Sequence, residues 1–539
     1  MCQSKANGGK RCAYHSKGNE HKSLRSNRKN VDVKVTVEPK VNGDLEIGEL
    51  FTCSLCALEA TRGSGDSHRC FAPNLVPLTS AAYLVVETII NAGGKPLIVG
   101  GSVRDAILAK GERHTPKDVD IEVYGLSVEA LIKALRPIGK VGDVGKAFNV
   151  IKLIVEKEDF DISLPRVDTK VGEGHRGFTA GANHSLSEAT AFGRRDFTVN
   201  ALGWDPKTHE LVDPYGGSAD LEAKVLRHTT QAFSEDPLRV MRAIQFAGRF
   251  GFTIAPETII ECRYLTESYL ELPTERVWTE WEKVAVKAPH PSKSLQALFD
   301  TGWEKHFPEL TAIRGVIQGE DWHPEGSVDI HTAMAADKAA MIAERENLSD
   351  EDRLTLFFAA VTHDFGKATH TVVSLEGKVS SQGHAEAGEE PAKKFLQSIG
   401  APQSLQHKVA ILVKEHMAHV GIQGEPSAMA VRRLIRRLDA NGNGVTLEAW
   451  AHLVEADTSG RGKVKDNPAL LWLKKASELG ESKPVKSIIR GEDLSARGMP
   501  PGVKYKGILA AAVSAQDDGL FSNRQEADSW LDQYLKDNF

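Results

Sequence analysis

The chain has 539 residues, which is too long for one hydrophobic core and indicates about three or four domains. Its 41% hydrophobic and 26% charged residues are typical of a globular protein. The formal net charge of −6 excludes a basic field over the whole surface, although it is compatible with a local basic groove. The chain lacks an apolar run of the roughly 20 residues that a membrane helix needs, and its polar N-terminus is no secretory signal. Six cysteines in so long a chain exclude a disulfide scaffold and favour the cytoplasm.

The first 75 or so residues differ from the rest in charge. Residues 1–40 contain ten Lys or Arg against three Asp or Glu, which predicts a flexible basic arm. The stretch CSLCALEATRGSGDSHRC follows, and its Cys53, Cys56, His68 and Cys70 have the spacing of a zinc knuckle. Because no second C-x-x-C completes the pattern, ordinary thiols are the alternative. A zinc ion at the N-terminus is therefore one of two interpretations.

Between about Leu75 and Arg227 the pattern mixes strands and helices. PLIVGG reads as a strand that ends in glycines, and SVRDAILAKG reads as the following helix. DVDIEVYG, NVIKLIVE and DFDISLP are further candidate strands with apolar alternation. Beyond Phe233, helical spacing dominates, as in the apolar positions 240, 243, 244 and 247. The sequence thus predicts an α+β fold, in which a mixed-sheet head precedes an all-α body.

The glycine pair in LIVGGSVRD lies at the junction of the predicted strand and helix. Glycines there let backbone amides approach an anion at the helix N-terminus, where the helix dipole favours negative charge. Arg104, one turn into that helix, could reach a phosphate. The alternative is a simple chain turn at Gly100 and Gly101. Asp118 follows Arg104 by only fourteen residues, so both could border one cleft.

Asp118 and Asp120 open the strand DVDIEVYG. Side chains at positions i and i+2 of a strand point to the same face, so the two carboxylates repel each other there. A third carboxylate from a neighbouring strand would complete an oxygen site suited to Mg²⁺, and Asp161 in DFDISLPR is the candidate. A solvated acidic pair at a strand start is the alternative.

Two more motifs combine aspartate with arginine. RRDFTVN covers residues 194–200, and EDPLR covers 235–239. On a helix, Asp236, Arg239 and Arg242 would share one face opposite the apolar stripe. Together they would offer the acceptors and donors needed to read the edge of a base. An i,i+3 salt bridge on a solvated helix is the alternative.

The motifs GGSVRD, KDVDIEV, RRDFTVNAL, LVDPYGG, EDPLRVMRAIQFAGRFGF and PTERVWTE occur in the order found in class II tRNA nucleotidyltransferases. That family comprises the CCA-adding enzymes and the bacterial poly(A) polymerases, and the resemblance covers roughly residues 95–285. It implies a polymerase-β-like head in which Asp118 and Asp120 hold catalytic Mg²⁺, and Asp161 stays the candidate for the third catalytic acid from its strand position. It also implies a protein template for cytosine and adenine at Asp236 and Arg239. The residues that it assigns to nucleotide binding are Gly100, Gly101, Arg104, Arg195, Asp196, Asn200, Asp236, Arg239 and Arg242.

One position departs from the family pattern. Related enzymes often carry another arginine one turn after Arg242, where this chain has Gln245. A neutral amide makes a weaker phosphate contact than a guanidinium does. We therefore expect a change in nucleotide choice or affinity if this position contacts the nucleotide.

A second resemblance covers about residues 320–460. His331, His363, Asp364 and Asp457 are similar to the ligand set of HD-domain phosphohydrolases, which implies a transition metal that activates water. His384 and His416 could extend the set to a second ion. The head followed by an HD domain resembles the multifunctional CCA proteins of bacteria, whose HD domain acts on phosphoesters such as 2′,3′-cyclic phosphates.

Together the motifs predict a template-independent RNA nucleotidyltransferase that adds CCA to tRNA 3′ ends, with metal-dependent phosphohydrolase activity in the HD domain. Poly(A) addition, a chiefly HD-based phosphohydrolase and a non-catalytic RNA-binding module are the alternatives. The expected partners are ATP, CTP and the acceptor arm and 3′ end of tRNA, without a membrane, and a homodimer is left open. The predicted domains are a basic extension at 1–75, the head at 76–230, a helical neck that binds base and RNA at 231–310, the HD domain at 311–470 and a helical tail at 471–539.

Overall fold

The computed structural model describes residues 50–53, 55, 59–62, 68–109, 119–142, 150–170, 178–182, 185–461 and 467–538. Three of the predictions above fall on other residues. The basic arm at 1–40, Cys56 and Asp118 lie outside the described residues.

The strands of the first half of the chain are short. They are β1 (Leu50–Thr52), β2 (Glu59–Thr61), β3 (Arg69–Phe71), β4 (Lys95–Val99), β5 (Val119–Tyr124), β6 (Lys140–Val141), β7 (Val150–Val155), β8 (Glu158–Ser163), β9 (Arg166–Lys170), β10 (Phe178–Ala182), β11 (Gly203–Asp205), β12 (Glu210–Val212), β13 (Val225–Leu226) and β14 (Thr253–Ile254). Within the described residues, the largest sheet has eight strands in the order β3-β12-β11-β4-β5-β8-β7-β6. In that sheet β5 and β8 run parallel, and their register places Asp120 beside Asp161.

Short helices cover this mixed sheet. They are α1 (Ser80–Asn91), α2 (Gly101–Leu108), α3 (Val128–Leu135), α4 (Glu188–Gly193) and α5 (Gly217–Ala223). Helix α1 begins after Thr79, whose hydroxyl accepts the backbone N–H of Ala82 at 3.1 Å and so caps the helix. Its apolar face buries Val85, Val86 and Ile89, and α1 packs against β4 and α3. The predicted strands and the helix after the glycine pair are therefore confirmed.

Helices replace strands after the head. The next helices are α6 (Leu238–Phe250), α7 (Pro256–Tyr264), α8 (Thr274–Lys287), α9 (Pro291–Thr301) and α10 (Pro308–Ala312). Helix α6 buries the predicted stripe at positions 240, 243, 244 and 247, each at most 1% exposed. It packs against α8 and α9, and Gly251 ends it with φ +69°, a left-handed conformation that favours glycine.

A further group of helices surrounds a histidine-rich centre. They are α11 (Val328–Arg345), α12 (Asp350–Thr362), α13 (Lys367–His370), α14 (His384–Ser398), α15 (Gln403–Glu415), α16 (Ala428–Leu438), α17 (Leu447–Ser459) and α18 (Ala469–Leu479), with a hairpin of β15 (Val372–Val373) and β16 (Val379–Ser380) between α13 and α14. The described part of the chain also contains 3₁₀ turns at Thr198–Asn200, Gln231–Glu235, Thr266–Glu271, Trp303–His306 and Ala440–Gly442.

The C-terminal helices form a small core of their own. They are α19 (Gly491–Ala496), α20 (Val503–Asp517) and α21 (Arg524–Asn538), and Ile489, Leu494, Ile508, Phe521 and Leu531 are buried among them. None of the helices in the described part of the chain combines the length and apolarity that a membrane crossing requires. The mixed-sheet head followed by a helical body is the predicted α+β architecture.

Candidate active site and metal centre

One cleft of about 470 Å³ collects the polar residues that the sequence analysis singled out. All nine predicted nucleotide-binding residues lie on its wall, together with Asp120. The lining residues are Gly100, Gly101, Arg104, Asp120, Arg195, Asp196, Asn200, Asp236, Leu238, Arg239, Arg242, Phe246 and Arg276. Five arginines against three aspartates give this wall the excess of positive charge that a triphosphate needs.

The glycine turn brings the backbone close to Arg195 in the cleft wall. Gly100 has φ +71°, a conformation that L side chains rarely adopt, and a Cβ there would lie 2.9 Å from the Nη1 of Arg195. Gly100 precedes the first residue of α2, so the free N–H groups at the start of this helix border the cleft. Glycine at this position therefore lets the backbone and Arg195 approach the same ligand.

A buried network connects the arginines of α2 and α6. Arg104 donates to the side-chain oxygen of Asn200 at 2.5 Å, and the Asn200 amide donates to Asp196 Oδ1 at 2.9 Å. Arg242 donates to Asp196 Oδ2 at 2.7 Å. Burial alone would raise the pKa of Asp196, but Arg242 beside it holds that pKa below its ordinary value. Asp196 is therefore a fixed anion that orients two arginines towards the cleft.

The acidic residues lie on β5 and β8, where Asp120 lines both this cleft and a neighbouring pocket of about 210 Å³, and Asp161 lines the neighbouring pocket. Asp120 is exposed, and the parallel register places Asp161 next to it. Lys152 on β7 donates to Asp161 at 2.7 Å, and this hydrogen bond raises the pKa of Lys152. Asp161 is thus in the predicted place beside Asp120, with a lysine partner that the sequence analysis did not foresee.

Glu122 is a site residue that the sequence analysis missed. It is fully buried, two residues after Asp120 on the same strand face. Its Oε1 accepts the hydroxyl of Tyr124, and its Oε2 lies 3.4 Å from Arg194 and 3.5 Å from Arg195. Alternate residues of a strand point to one face, so the pattern that placed Asp118 and Asp120 together also indicated that Glu122 shares their face. Its position anchors the two arginines of RRDFTVN.

The predicted helical position of Asp236 is wrong. Helix α6 begins at Leu238, and Asp236 has extended backbone angles of φ −125° and ψ 101°. The cause is Pro237, because its ring disfavours helical geometry in the residue before it. Asp236 instead accepts the backbone N–H of Leu238 at 3.1 Å. Its ion-pair partner is Arg276 at 2.9 Å, a residue of the PTERVWTE motif to which the sequence analysis gave no role.

Two further polar residues of α6, Arg239 and Gln245, have different environments. Arg239 donates to the backbone oxygens of Ala232 and Arg194. These hydrogen bonds, and not an i,i+3 ion pair with Asp236, position its guanidinium. Burial lowers the pKa of Arg239. Gln245 is 1% exposed, which places it in the core and away from the cleft wall. The expected effect of Gln245 on a phosphate contact is therefore wrong.

The second centre lies among α11, α12, α14, α15 and α17. Its four histidines each point Nδ1 at an acceptor, at 2.5–2.8 Å. These contacts are His331 with Glu325, His363 with the Ala360 oxygen, His384 with the Ser381 oxygen and His416 with the Val413 oxygen. A histidine that donates through Nδ1 keeps a lone pair on Nε2. In their neutral forms, the four rings would offer their Nε2 lone pairs to a common centre.

These Nε2 atoms are close to one another and to two aspartates. His331 and His363 Nε2 are 3.3 Å apart, and His384 and His416 Nε2 are 3.2 Å apart. Lone pairs at such distances repel each other unless a proton or a metal lies between them. Asp364 lies within reach of both pairs, so two groups of three ligands share its carboxylate.

Asp457 completes the first group from a distant part of the chain. Its Oδ1 is 3.0 Å from His331 Nε2. Burial alone would lower the pKa of His331, but hydrogen bonds to Asp457 and Glu325 raise it to about 9. The field at this centre therefore favours a cation. The donor set of imidazoles and carboxylates suits a divalent transition metal.

The turn after His363 brings the two groups together. A Cβ on Gly366 would collide with the backbone oxygen of His384, so glycine permits the close packing of this turn on α14. Lys367 lies 2.7 Å from Asp364, and Arg461 lies 2.9 Å from Asp457. Each aspartate thus has a cationic neighbour in addition to the histidines.

Glu325 and His323 were also missed by the sequence analysis. Glu325 Oε1 lies 2.8 Å from Nδ1 of both His323 and His331. A carboxylate behind a ligating histidine fixes the ring and raises its basicity. Their segment precedes α11 without helical spacing, so the sequence contained no pattern that could have indicated them.

The predicted zinc-knuckle residues lie at the edge of the large sheet. Cys53 and Cys70 are buried, their Sγ atoms are 3.8 Å apart, and His68 lies with them. One ligand atom from each of the three residues lies within 4.8 Å of the others. Three of the four predicted ligands are thus together, whereas Cys56 is outside the described residues.

Comparison with known proteins agrees with this geometry. Three family models match: "Poly A polymerase head domain" over residues 97–227, "Probable RNA and SrmB- binding site of polymerase A" over 251–314 and "HD domain" over 328–443. Asp457 lies beyond the last of these matches, although the fold brings it to His331.

Two relatives with similar sequences are multifunctional CCA proteins. The multifunctional CCA protein of Acinetobacter baumannii (strain SDF) is 34% identical over 379 residues, covering 69% of this chain and 85% of that protein. The multifunctional CCA protein of Xanthomonas oryzae pv. oryzae (strain MAFF 311018) is 34% identical over 428 residues, covering 78% of this chain and 98% of that protein.

Solved structures share the fold. The Bacillus stearothermophilus CCA-adding enzyme in complex with CTP has a TM-score of 0.56 at 19% identity, covering 85% of this chain and 97% of that one. The Thermotoga maritima CCA-adding enzyme complexed with tRNA has a TM-score of 0.52 at 21% identity, covering 84% and 94% of the two chains. On its sequence identity to these relatives across most of their length, the chain belongs to the multifunctional CCA protein family.

Proposed function

We propose that this protein adds C, C and A to the 3′ ends of tRNA from CTP and ATP without a nucleic-acid template. The observation that carries this proposal is the single cleft that unites the glycine turn, Asp120 and the pair of Asp236 and Arg239. Groups for the phosphates, for a metal and for the base are thereby within reach of one nucleotide. The RNA 3′-hydroxyl oxygen would form a bond to the α-phosphorus while the bond to pyrophosphate breaks.

The phosphate groups would bind at the glycine turn. Arg104 and Arg195 line this part of the cleft, and the N-terminus of α2 adds backbone N–H donors. Arg104 lies over the ring of Phe250, 4.6 Å from its centroid, and it donates to Asn200. These contacts hold its guanidinium in place before the nucleotide arrives, which reduces the entropy lost on binding.

Asp120 would hold Mg²⁺ together with Asp118, and Asp161 lies on the adjacent strand as the third acid. Carboxylate oxygens are the ligands that this ion prefers, and an exposed carboxylate at a basic cleft fits it. When bound, Mg²⁺ would supply positive charge to the phosphates and favour loss of the proton from the attacking hydroxyl. Lys152 would orient the Asp161 carboxylate through its hydrogen bond.

The base would be selected at Asp236 and Arg239. Cytosine and adenine both present an amino group beside an unprotonated ring nitrogen, whereas uracil and guanine present a carbonyl beside an N–H. A carboxylate accepts from the amino group and a guanidinium donates to the ring nitrogen. Arg276 holds the Asp236 carboxylate in place, so the pair of Asp236 and Arg239 would accept C and A and reject U and G.

A tRNA lacking its CCA end tests this function. The purified chain is incubated with this tRNA and Mg²⁺, and CTP and ATP are offered separately and together. We expect two residues from CTP alone, and three in the order C, C, A when ATP is also present. A long tail from ATP alone would favour poly(A) addition instead, and absence of incorporation would contradict both polymerase assignments.

We also propose a phosphohydrolase activity at the histidine centre. It is supported by the four converging Nε2 atoms and by Asp364, which both ligand groups share. A bound divalent metal would supply a water of lowered pKa. A 2′,3′-cyclic nucleotide offered with Mn²⁺, Co²⁺ or Ni²⁺ tests this. His363→Ala should abolish turnover, and His407→Ala, an exposed histidine on α15, is the matched control. Undiminished turnover by His363→Ala would overturn the assignment.

The remaining predictions stay proposals. The domain division at 75, 230, 310 and 470 is supported by the change from sheet to helices after the head and by the separate core around Phe521. The helices within 251–314, which the RNA-binding family model matches, would hold the acceptor arm. The homodimer and the cytoplasmic location stay predictions of the sequence.

A further inference from the structure

We propose that Cys53, His68 and Cys70 form a structural zinc site that fastens the segment before the head to the edge of the large sheet. The nucleotidyl-transfer and HD chemistry use none of these residues. The site would take a divalent zinc ion through two thiolates and one imidazole, which are the ligands that structural zinc prefers.

The distance between the two sulfurs is the first argument. Zinc–sulfur bonds of about 2.3 Å at tetrahedral angles place two sulfurs about 3.8 Å apart. The Sγ atoms of Cys53 and Cys70 are 3.8 Å apart, although the residues are seventeen positions apart in sequence. A ligand atom of His68 lies within 4.8 Å of both sulfurs. The three side chains thus already have the spacing of one face of a tetrahedron.

Burial is the second argument. Cys53 is 0% and Cys70 is 6% exposed. Free buried cysteines usually behave as small apolar residues, as Cys262 does in α7, where burial raises its thiol pKa. The half-buried His68 places an imidazole beside the two buried thiols. Coordination to zinc would bind this imidazole together with both sulfurs and remove the thiol protons.

The surroundings of the cluster explain what the metal would stabilise. Cys70 lies on β3, the outer strand of the large sheet, opposite Leu211 of β12. The backbone oxygen of His68 accepts the N–H of Asp213 at 2.9 Å, and Ser218 Oγ lies 3.8 Å from Cys53 Sγ. The ion would therefore join the segment at Cys53 to an edge strand that is itself hydrogen-bonded to the loop before α5.

That loop is connected to the nucleotide cleft. Asp213 accepts the backbone N–H groups of Gly217 and Ser218 at the start of α5. Asp220 in α5 accepts the hydroxyl of Thr198 at 2.6 Å. Thr198 lies in the same 3₁₀ turn as Asn200, which contacts Arg104. The zinc site is thus a structural support behind the cleft wall, and we expect it to affect stability more than chemistry.

Zinc content of the full chain is the first measurement. The protein is produced with zinc, freed of loose metal and assayed by mass spectrometry for zinc per chain. Cys53→Ser and Cys70→Ser should each lose about one zinc per chain relative to wild type. Cys262→Ser changes a buried cysteine in α7, away from the proposed site, and this variant should retain the zinc ion. Equal zinc content in wild type and all three variants would overturn the proposal.

Cobalt spectroscopy separates this site from the HD centre. Co²⁺ bound by thiolates gives a sulfur-to-cobalt charge-transfer band, which a site of histidines and aspartates does not give. Wild type and Cys262→Ser should show the band, and Cys53→Ser should show it weakened or lost. This measurement needs only wild-type protein if a variant fails to fold. Absence of the band in wild type, or a Cys53–Cys70 disulfide in peptide maps of unreduced protein, would overturn the proposal.

Discussion

The nucleotide cleft and the histidine centre use charge in opposite ways. In the cleft, arginines outnumber aspartates, and several of them already have partners, such as Arg242 with Asp196 and Arg276 with Asp236. In the histidine centre, each Nδ1 atom lies 2.5–2.8 Å from an oxygen atom while four Nε2 atoms face each other at the core of a helical bundle. The cleft is therefore arranged for a large anion that comes and goes. The centre is arranged for a small cation that stays.

This difference has a physical origin in solvent access. Asp120 and Asp236 remain partly exposed, so the groups of the cleft can exchange partners with a ligand at small cost. Asp364 and Asp457 are at most 2% exposed, and their histidine neighbours hold their pKa values well below the ordinary value against the effect of burial. A buried carboxylate without a cation would cost several kcal/mol. The two aspartates of the centre therefore depend on Lys367, Arg461 and the histidines more than the exposed aspartates of the cleft depend on their partners.

The largest expected effect comes from Asp120→Ala. Loss of a metal-binding carboxylate removes several kcal/mol of charge stabilisation, so incorporation of CTP and ATP should fall by about 10³-fold or more. Hydrolysis at the HD centre should not change. Asp159→Ala, an exposed aspartate on β8, is the matched control. Incorporation is followed with radiolabelled CTP on tRNA that lacks CCA, and retained incorporation would contradict the metal assignment.

Asp364→Asn should have the opposite effect, because it should impair hydrolysis at the histidine centre and leave CCA addition intact. Because both ligand groups share this carboxylate, we expect phosphodiesterase turnover to fall by at least about 100-fold. CCA addition should remain within about twofold of wild type, since the two centres share no residue. The same preparation is assayed for both activities. A parallel loss of CCA addition would show that the centres are not independent.

Glu325→Gln should weaken the histidine centre without removing a ligand. The amide cannot accept a strong hydrogen bond from His331 Nδ1 as the carboxylate does, so metal affinity should fall by about 10–100-fold. Metal titration followed by calorimetry measures this, and Glu351→Gln on the surface is the control. Unchanged affinity would exclude Glu325 from orienting His331.

Arg276→Lys tests the support of the base-reading pair. Arg276 donates through both terminal nitrogens to Asp236, at 2.9 and 3.5 Å, and a lysine cannot reproduce that geometry. We expect discrimination of CTP against UTP, measured as the ratio of kcat/KM values, to fall by about tenfold. Arg263→Lys in α7 is the control. A uniform loss for all nucleotides would indicate a phosphate contact instead.

The smallest effect concerns pH and lies outside both centres. Burial lowers the pKa of His228 from 6.5 to about 4, so its folded form resists protonation. The free energy of unfolding is therefore unaffected by this histidine above pH 6.5. It decreases by roughly 2–3 kcal/mol as the pH falls from 6.5 towards 4. The free energy of unfolding, measured with urea across this pH range, should change less steeply with pH in His228→Asn than in wild type. An unchanged slope would assign the pH dependence to the other histidines.

Local features of the head could be predicted from the sequence. The alternation in DVDIEVYG predicted β5, and glycines after PLIV predicted the turn into α2. The spacing of apolar residues predicted the buried face of α6. Proline also disfavours helical geometry in the residue before it, so Pro237 by itself indicates that Asp236 lies outside that helix. These features depend on neighbours within a few residues, so periodicity and backbone chemistry are sufficient for them.

The partners of the site residues could not be predicted in the same way. Glu122 belonged to a recognised strand, yet its contacts with Arg194 and Arg195 depend on how residues more than seventy positions later return to β5. Arg276 was part of a recognised motif, but its pairing with Asp236 depends on the packing of α8 against α6. Helical spacing predicts which face of a helix is buried, and it does not predict which side chain lies opposite.

The sequence by itself determined the order of motifs, the change from a mixed sheet to helices and the chemical types available for phosphate, base and metal. The tertiary structure alone decided which of them meet. His331 and Asp457 are 126 positions apart in sequence, yet His331 Nε2 lies 3.0 Å from Asp457 Oδ1. Cys53 and Cys70 are seventeen positions apart, and their Sγ atoms are in contact. The physical reason is that local patterns specify faces, whereas packing of those faces against one another specifies the distances at which chemistry occurs.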